Sequence, residues 1–193
     1  MTAGVPVLAG AAIGSYLLGS ISPAGFVGRR MGIDLRGRGS GNLGAANVGR
    51  VLGRRLGVVV AVVDAAKGAL PAALFGLAGL TAGLLAGFCA VLGHVSSPWL
   101  RGRGGKGVAT AAGAILGSHP LWAPIVLAIW LLVLAVSRWI ALSSVCAALS
   151  VVVVALVTRS AWPSVLWACA LALVVVVRHR SNLVARLAER RGG

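Results

Sequence analysis

"GRGSGNLGAANVGR", residues 37–50, places Gly39, Gly41 and Gly44 in the spacing G-x-G-x-x-G, with Asp64 twenty residues after Gly44. That spacing marks a dinucleotide-binding turn when a buried strand enters it and a helix leaves it inside a soluble βαβ unit. Neither flank fits. "RRMGIDLRGR" (29–38) carries too many charges for a buried parallel strand, and Asp64 lies within the apolar run "LGVVVAVVDAAKGAL" (56–70) rather than at a strand end. The nucleotide-fold reading is therefore set aside, and the apolar run becomes the better guide.

Such runs recur along the chain. The composition is 59% hydrophobic and 11% charged, and the stretches 1–28, 68–100, 107–137, 139–158 and 160–177 carry no charge at all. A membrane-spanning helix needs about 20 apolar residues, so these are membrane lengths. A signal peptide accounts poorly for the first run, since no Lys or Arg precedes it and similar runs continue to the C-terminus. The run 107–137, at 31 residues, is too long for one span, and "SHP" at 118–120 offers a turn because proline disfavours helix at the residue before it. The expected fold is all-α: one polytopic membrane domain over 1–193, with spans near 4–26, 54–75, 79–97, 106–118, 121–137, 139–158 and 161–178.

Charge then sets the expected orientation. With seven spans, the cations of 29–55, 101–106, 138 and 178–191 fall on one side and Arg159 alone on the other. By the positive-inside rule the N-terminus is outside and the C-terminus cytoplasmic. The net charge of +15 serves topology and attraction to anionic lipid. It is split among membrane loops without an aromatic stacking surface, which argues against a nucleic-acid partner.

Three segments on that side combine glycine, cations and small polar residues: "GSGNLGAANVGRVLG" (39–53), "GHVSSPWLRGRGGKGVAT" (93–110) and "RHRSNLVARLAERR" (178–191). Two and then four spans separate them, so one membrane face presents all three. In the second, "GGKG" opens an apolar helix, where glycine N–H groups and a helix N-terminus favour an anion beside Lys106. A P-loop is excluded, since Leu100 and Gly107 stand where Gly and Ser or Thr are required. In the first, Ser40 and Asn42 sit among the glycines. Arg50, whose planar fork suits phosphate, follows two turns after Asn42 if the stretch is helical, with Asn47 one turn from it. On a helix His179 and Asn182 share a face, as a substrate contact or as interfacial residues. His94, at a helix end, leaves the same choice, and His119 reads as a turn residue.

Asp64 and Lys67 differ, because charge inside a span is costly and is paired or functional. Their i, i+3 spacing permits a structural pair, with Asp64 also within reach of loop arginines. Asp34, Asp64 and Glu189 are the chain's acids, and they and the three histidines show no metal-ligand spacing, so no metal or cofactor is expected. Cys89, Cys146 and Cys169 read as buried free thiols. A proton-coupled transporter would rely on Asp64 and would be expected to show an internal repeat, which is not seen; a scaffold would need no anion-ready loops.

"GSGNLGAANVGRVLG" (39–53), "VVDAAKG" (62–68), "GH" (93–94) ahead of "GGKGVAT" (104–110), and "HRSN…RL" (179–187) resemble, in order and spacing, the bacterial membrane glycerol-3-phosphate acyltransferases that use acyl phosphate, the PlsY type. The resemblance implies a seven-span enzyme of the bacterial plasma membrane with a cytoplasmic active site. It would move a fatty acyl group from acyl phosphate to the 1-hydroxyl of sn-glycerol 3-phosphate. The products would be lysophosphatidic acid and phosphate, in the first acylation of phospholipid synthesis, with a functional link to a soluble acyl-phosphate synthase. By motif position Ser40, Arg50, Lys106, His179 and Asn182 would contact glycerol 3-phosphate. Gly104, Gly105 and Gly107 would help hold the acyl-phosphate head, and Gly39, Gly41, Asn42, Gly44, Asn47 and His94 would complete the substrate site. Acyl phosphate already carries its leaving group, so direct transfer without an acyl-enzyme is expected, a phosphate oxygen taking the proton in preference to His179 among its arginines. Ala46 stands where this family commonly has Thr, and the order after His94 is "SSP".

Overall fold

The computed structural model describes residues 3–191, and among them the regular structure is helical throughout. The helices are α1 (Val5–Ser20), α2 (Pro23–Arg30), α3 (Ala45–Leu52), α4 (Arg54–Gly76), α5 (Leu80–Val95), α6 (Val108–Ser118), α7 (Trp122–Ser137), α8 (Ile140–Val157) and α9 (Trp162–Arg191), with 3-10 turns at Leu35–Gly37 and Pro98–Leu100. Five stretches are long and apolar enough to cross a membrane: Val5–Arg30, Arg54–Gly76, Leu80–Leu100, Ile140–Val157 and Trp162–Arg186. The two shorter apolar helices are α6 and α7, divided at "SHP" as expected. With 11 residues α6 rises only about 16 Å, roughly half a hydrocarbon core.

Two expected boundaries are corrected. The first span, expected unbroken over 4–26, stops at Ile21 and Ser22, which are extended (ψ 127° and 101°) ahead of Pro23. The proline disfavours helix at Ser22, and the Ser22 hydroxyl then caps α2 by accepting from Gly25 N–H at 3.0 Å. The last span was expected to end near 178, but α9 runs on to Arg191. Between Pro163 and that point the sequence has no proline or glycine to stop it, and arginine ends the apolar character without ending the helix. The structure divides into two compact units, 1–118 and 119–193.

In the first unit α1 lies on α5, and α4 lies on α5 and α6. Both main pairings place a glycine of each helix on a backbone carbonyl of the other. A Cβ on Gly19 would strike the Ala90 carbonyl and one on Gly93 the Tyr16 carbonyl; Gly68 meets Thr110 and Gly113 meets Ala65 in the same way. Close backbone approach of this kind is how helices associate where lipid offers no hydrophobic drive. The outer faces remain apolar, with Val58, Val62 and Leu74 all exposed, as a lipid environment allows.

The break after α1 is held from three directions. Lys67 Nζ donates to the Ile21 carbonyl at 2.8 Å, Ser97 Oγ to the Ser20 carbonyl at 2.7 Å, and Trp99 Nε1 to Ser20 Oγ at 2.8 Å. Carbonyls that α1 cannot satisfy internally thus find donors on α4 and on the loop after α5.

In the second unit α7 packs on α8 and α8 on α9. His119, read from sequence as a turn residue only, also contributes to packing. It stacks on Trp122 at 3.9 Å between ring centroids and pairs through Nε2 with Ser164 Oγ at 3.0 Å. Burial holds its imidazole below the ordinary histidine range. The cysteines are free, as expected, but none is fully buried: Cys89 and Cys146 are half-buried and Cys169 is exposed.

Candidate active site

The first glycine segment is built around Asn47, which is 1% exposed on α3. Its Oδ1 accepts from the Ser40 N–H at 2.7 Å, while Nδ2 donates to the Leu35 and Arg38 carbonyls, both at 3.1 Å. The loop therefore wraps over one side-chain amide. Gly39 and Gly41 adopt left-handed φ of 59° and 67°, and a Cβ on Gly39 would strike Asn47 Oδ1. Gly44 is the extended N-cap of α3, with the Asn42 amide beside it. Asn42 lies outside the helix, so the expected two-turn helical relation to Arg50 does not exist; α3 begins only at Ala45. Arg50 is exposed on the last turn of α3, one turn from Asn47, and Ser40 is exposed at the loop surface.

The second segment leaves α5 and folds back along its end. Gly104 N–H donates to the Val95 carbonyl at 3.1 Å and Gly105 N–H to the His94 carbonyl at 3.2 Å. This corrects the expectation that these two amides stand open to an anion. Both are spent on α5, and these glycines serve close approach instead. A Cβ on Gly104 would strike the His94 carbonyl, and one on Gly105 the His94 ring at Nε2. Gly107, at φ 81°, turns the chain into α6, with half-buried Lys106 just before it and the first-turn N–H groups of α6 just after.

These two segments meet. Arg36 Nη2 donates to the Leu100 and Arg103 carbonyls at 3.3 and 3.0 Å, and the Leu43 carbonyl stands 3.1 Å from the place of a Cβ on Gly105. Segments 39–53 and 93–110, which topology allows to converge, are thus packed together, with Arg36 joining them. Sequence reading gave Arg36 no role beyond topology, since nothing in its spacing signals a carbonyl partner far along the chain.

Beneath the loops lies a buried charged cluster. Asp64 Oδ1 is 2.9 Å from Lys67 Nζ and 3.3 Å from His94 Nδ1, and all three side chains are buried. The i, i+3 pair is as expected. His94, rather than a loop arginine, is the second partner of Asp64. His94 was expected to touch substrate, yet its ring is set between Asp64 and Gly105.

The third segment belongs to the second unit. His179 and Asn182 lie on α9 at i, i+3, as expected. His179 is 2% exposed, and its Nδ1 lies 2.8 Å from the Val175 carbonyl. A carbonyl only accepts, so Nδ1 carries hydrogen and Nε2 is the basic nitrogen of the neutral ring. Glu189, Arg190, Arg191 and Leu187 have side chains outside the described residues.

The model of the family described as glycerol-3-phosphate acyltransferase matches residues 9–189. A Synechococcus sp. (strain JA-2-3B'a(2-13)) protein named glycerol-3-phosphate acyltransferase is 43% identical over 180 residues, covering 92% of this chain and 90% of its own. The crystal structure of PlsY (YgiH), an integral membrane glycerol 3-phosphate acyltransferase, in its glycerol 3-phosphate form superposes with a TM-score of 0.92. The identity is 33%, over 95% of this chain and 93% of that one. Its lysophosphatidic acid form gives a TM-score of 0.89 at 32% identity, with the same coverage. With helices of membrane-crossing length, two converging cationic glycine loops and a family match spanning nearly the whole sequence, this integral membrane chain belongs to the glycerol-3-phosphate acyltransferase family of the PlsY kind.

Proposed function

We propose that this chain transfers a fatty acyl group from acyl phosphate to the 1-hydroxyl of sn-glycerol 3-phosphate, giving lysophosphatidic acid and inorganic phosphate. The observation that carries the reading is the packing of the Arg36–Gly44 loop on the Leu100–Gly105 loop, which brings two anion-suited segments together. A reaction with two phosphate-bearing substrates asks for that pairing. The names of the relatives support the acceptor, and the two forms of the crystallised PlsY carry it and the product.

In this reading Ser40, Arg50, Lys106, His179 and Asn182 contact glycerol 3-phosphate, with Gly107 and the start of α6 near the acyl-phosphate head. Asn47 shapes the loop that presents Ser40. The glycerol hydroxyl oxygen attacks the acyl carbon, the bond to the phosphate oxygen breaks with its electron pair, and the hydroxyl proton passes to the departing phosphate. Positioning supplies much of the rate, since the leaving group is already good. No acyl-enzyme forms. A proton-coupled transporter is the poorer reading, because Asp64 is committed to Lys67 and His94.

Purified protein given radiolabelled glycerol 3-phosphate should form lysophosphatidic acid with acyl phosphate and little with acyl-CoA or acyl carrier protein. Equal rates with acyl-CoA would overturn the donor. The active face is assigned to the cytoplasm of a bacterial plasma membrane, where a soluble acyl-phosphate synthase would supply the donor. Single cysteines at 36, 103 and 180 in a Cys-free background should label from the cytoplasmic side and one at 119 from outside, as the cation asymmetry requires. Labelling of 103 and 119 from the same side would remove the span through α6 from this topology.

A further inference from the structure

His94 and Asp64 are buried, titratable and unused by the transfer chemistry just described. Their arrangement nevertheless reaches the site. The His94 ring has two occupied sides: Nδ1 faces Asp64 at 3.3 Å, and the Nε2 edge abuts Gly105 so closely that no Cβ fits between them. Asp64 is itself fixed by Lys67 at 2.9 Å, and Lys67 is fixed by the Ile21 carbonyl at 2.8 Å. Beside the same position of Gly105 stands the Leu43 carbonyl of the first loop. Gly105 is thus pressed close to an imidazole and a carbonyl, one residue before Lys106.

From this clamp we propose that His94 is a positioning residue of the acyl-phosphate end of the site, its ring oriented by Asp64 and setting the placement of the turn Gly104–Gly107. The proposal rests on the acyl-phosphate reading above. A glycine turn has little stiffness of its own, and the amides of Gly104 and Gly105 tie this one to the end of α5. A planar ring against Gly105 restrains the turn from a further direction. The carboxylate of Asp64 faces Nδ1 at 3.3 Å and orients the ring by that polar contact, as second partners do for functional histidines. His94 needs no contact with substrate for this role.

Three variants test it. In His94→Asn the amide nitrogen can replace Nδ1 towards Asp64, but the edge facing Gly105 is gone. Asp64→Asn keeps the shape and weakens the hold on the ring. Gly105→Ala drives a methyl into the ring from the other side, and combined with His94→Asn it finds room. Each single variant should raise the KM for acyl phosphate about tenfold while kcat at saturation stays within about threefold. The double variant should be no worse than the poorer single one, because both changes act on one contact. Amide hydrogen exchange, which needs no turnover, should quicken in the peptide carrying Gly104–Gly107 and stay unchanged in α8. A hundredfold fall in kcat at unchanged KM would make His94 part of the chemistry and overturn the proposal. So would wild-type kinetics with unaltered exchange, or additive losses in the double variant. If the parent protein fails to use acyl phosphate while exchange responds as stated, the donor reading fails and the clamp stands.

Discussion

Alanine at Lys106 or Arg50 should lower kcat/KM by about 2–5 kcal/mol of transition-state stabilisation, with the thermal midpoint in detergent near that of the parent. The two need not be equal. Lys106 is half-buried between Gly105 and the start of α6, where its charge is poorly screened, and it should lie toward the upper end. Arg50 is exposed on the last turn of α3, so solvent and salt weaken it until a phosphate covers it, and the lower end is expected there. Arg50→Lys should stay impaired, since an ammonium cannot reproduce two parallel hydrogen bonds. Near-parental kcat/KM in both alanine variants would reduce the two cations to topology signals.

Asn47→Asp should be nearly as damaging without touching a charge of the site. The Asn47 amide accepts one hydrogen bond and donates two, all in a buried position. A carboxylate keeps the bond from Ser40 N–H but turns its other oxygen on the Leu35 and Arg38 carbonyls, two acceptors facing an anion. Each lost buried bond costs roughly 1–3 kcal/mol, so the loop should abandon this conformation and kcat/KM should fall about a hundredfold or more. Amide exchange over 35–44 should rise in parallel. Parental kcat/KM in Asn47→Asp would mean that the loop keeps its shape without the amide.

What could be read beforehand was whatever depends on periodicity, length and net charge. The apolar runs yielded the helical class and seven apolar helical segments, and "SHP" divided the overlong run because 31 residues forced the question. The same pre-proline signal at "SP" (22–23) went unread, since 1–28 was short enough to pass as one span. The Asp64–Lys67 pair followed from helical spacing, whereas His94 as their third member depends on how α4 meets α5, which spacing along one helix does not carry. Glycine was the least legible residue of all. At Gly104 and Gly105 an amide open to an anion and a backbone pressed against α5 leave the same letters, and only the structure separates them. Asn47 was visible as a polar residue among glycines, but not that its amide faces inward to the loop.

The break after α1 bears on how the protein is made. The Ser20 and Ile21 carbonyls receive their donors from Ser97 and Lys67, which lie 77 and 46 positions further along the chain. A nascent chain enters the bilayer from its N-terminus, so α1 arrives with both oxygens lacking those donors. Each such group costs several kcal/mol in hydrocarbon. These two oxygens therefore wait for their protein donors until α4 and the loop beyond α5 have been made. Synthesis of Ser97 and Trp99 marks the earliest moment at which the Ser20 end of α1 can take up the contacts it has in the finished fold.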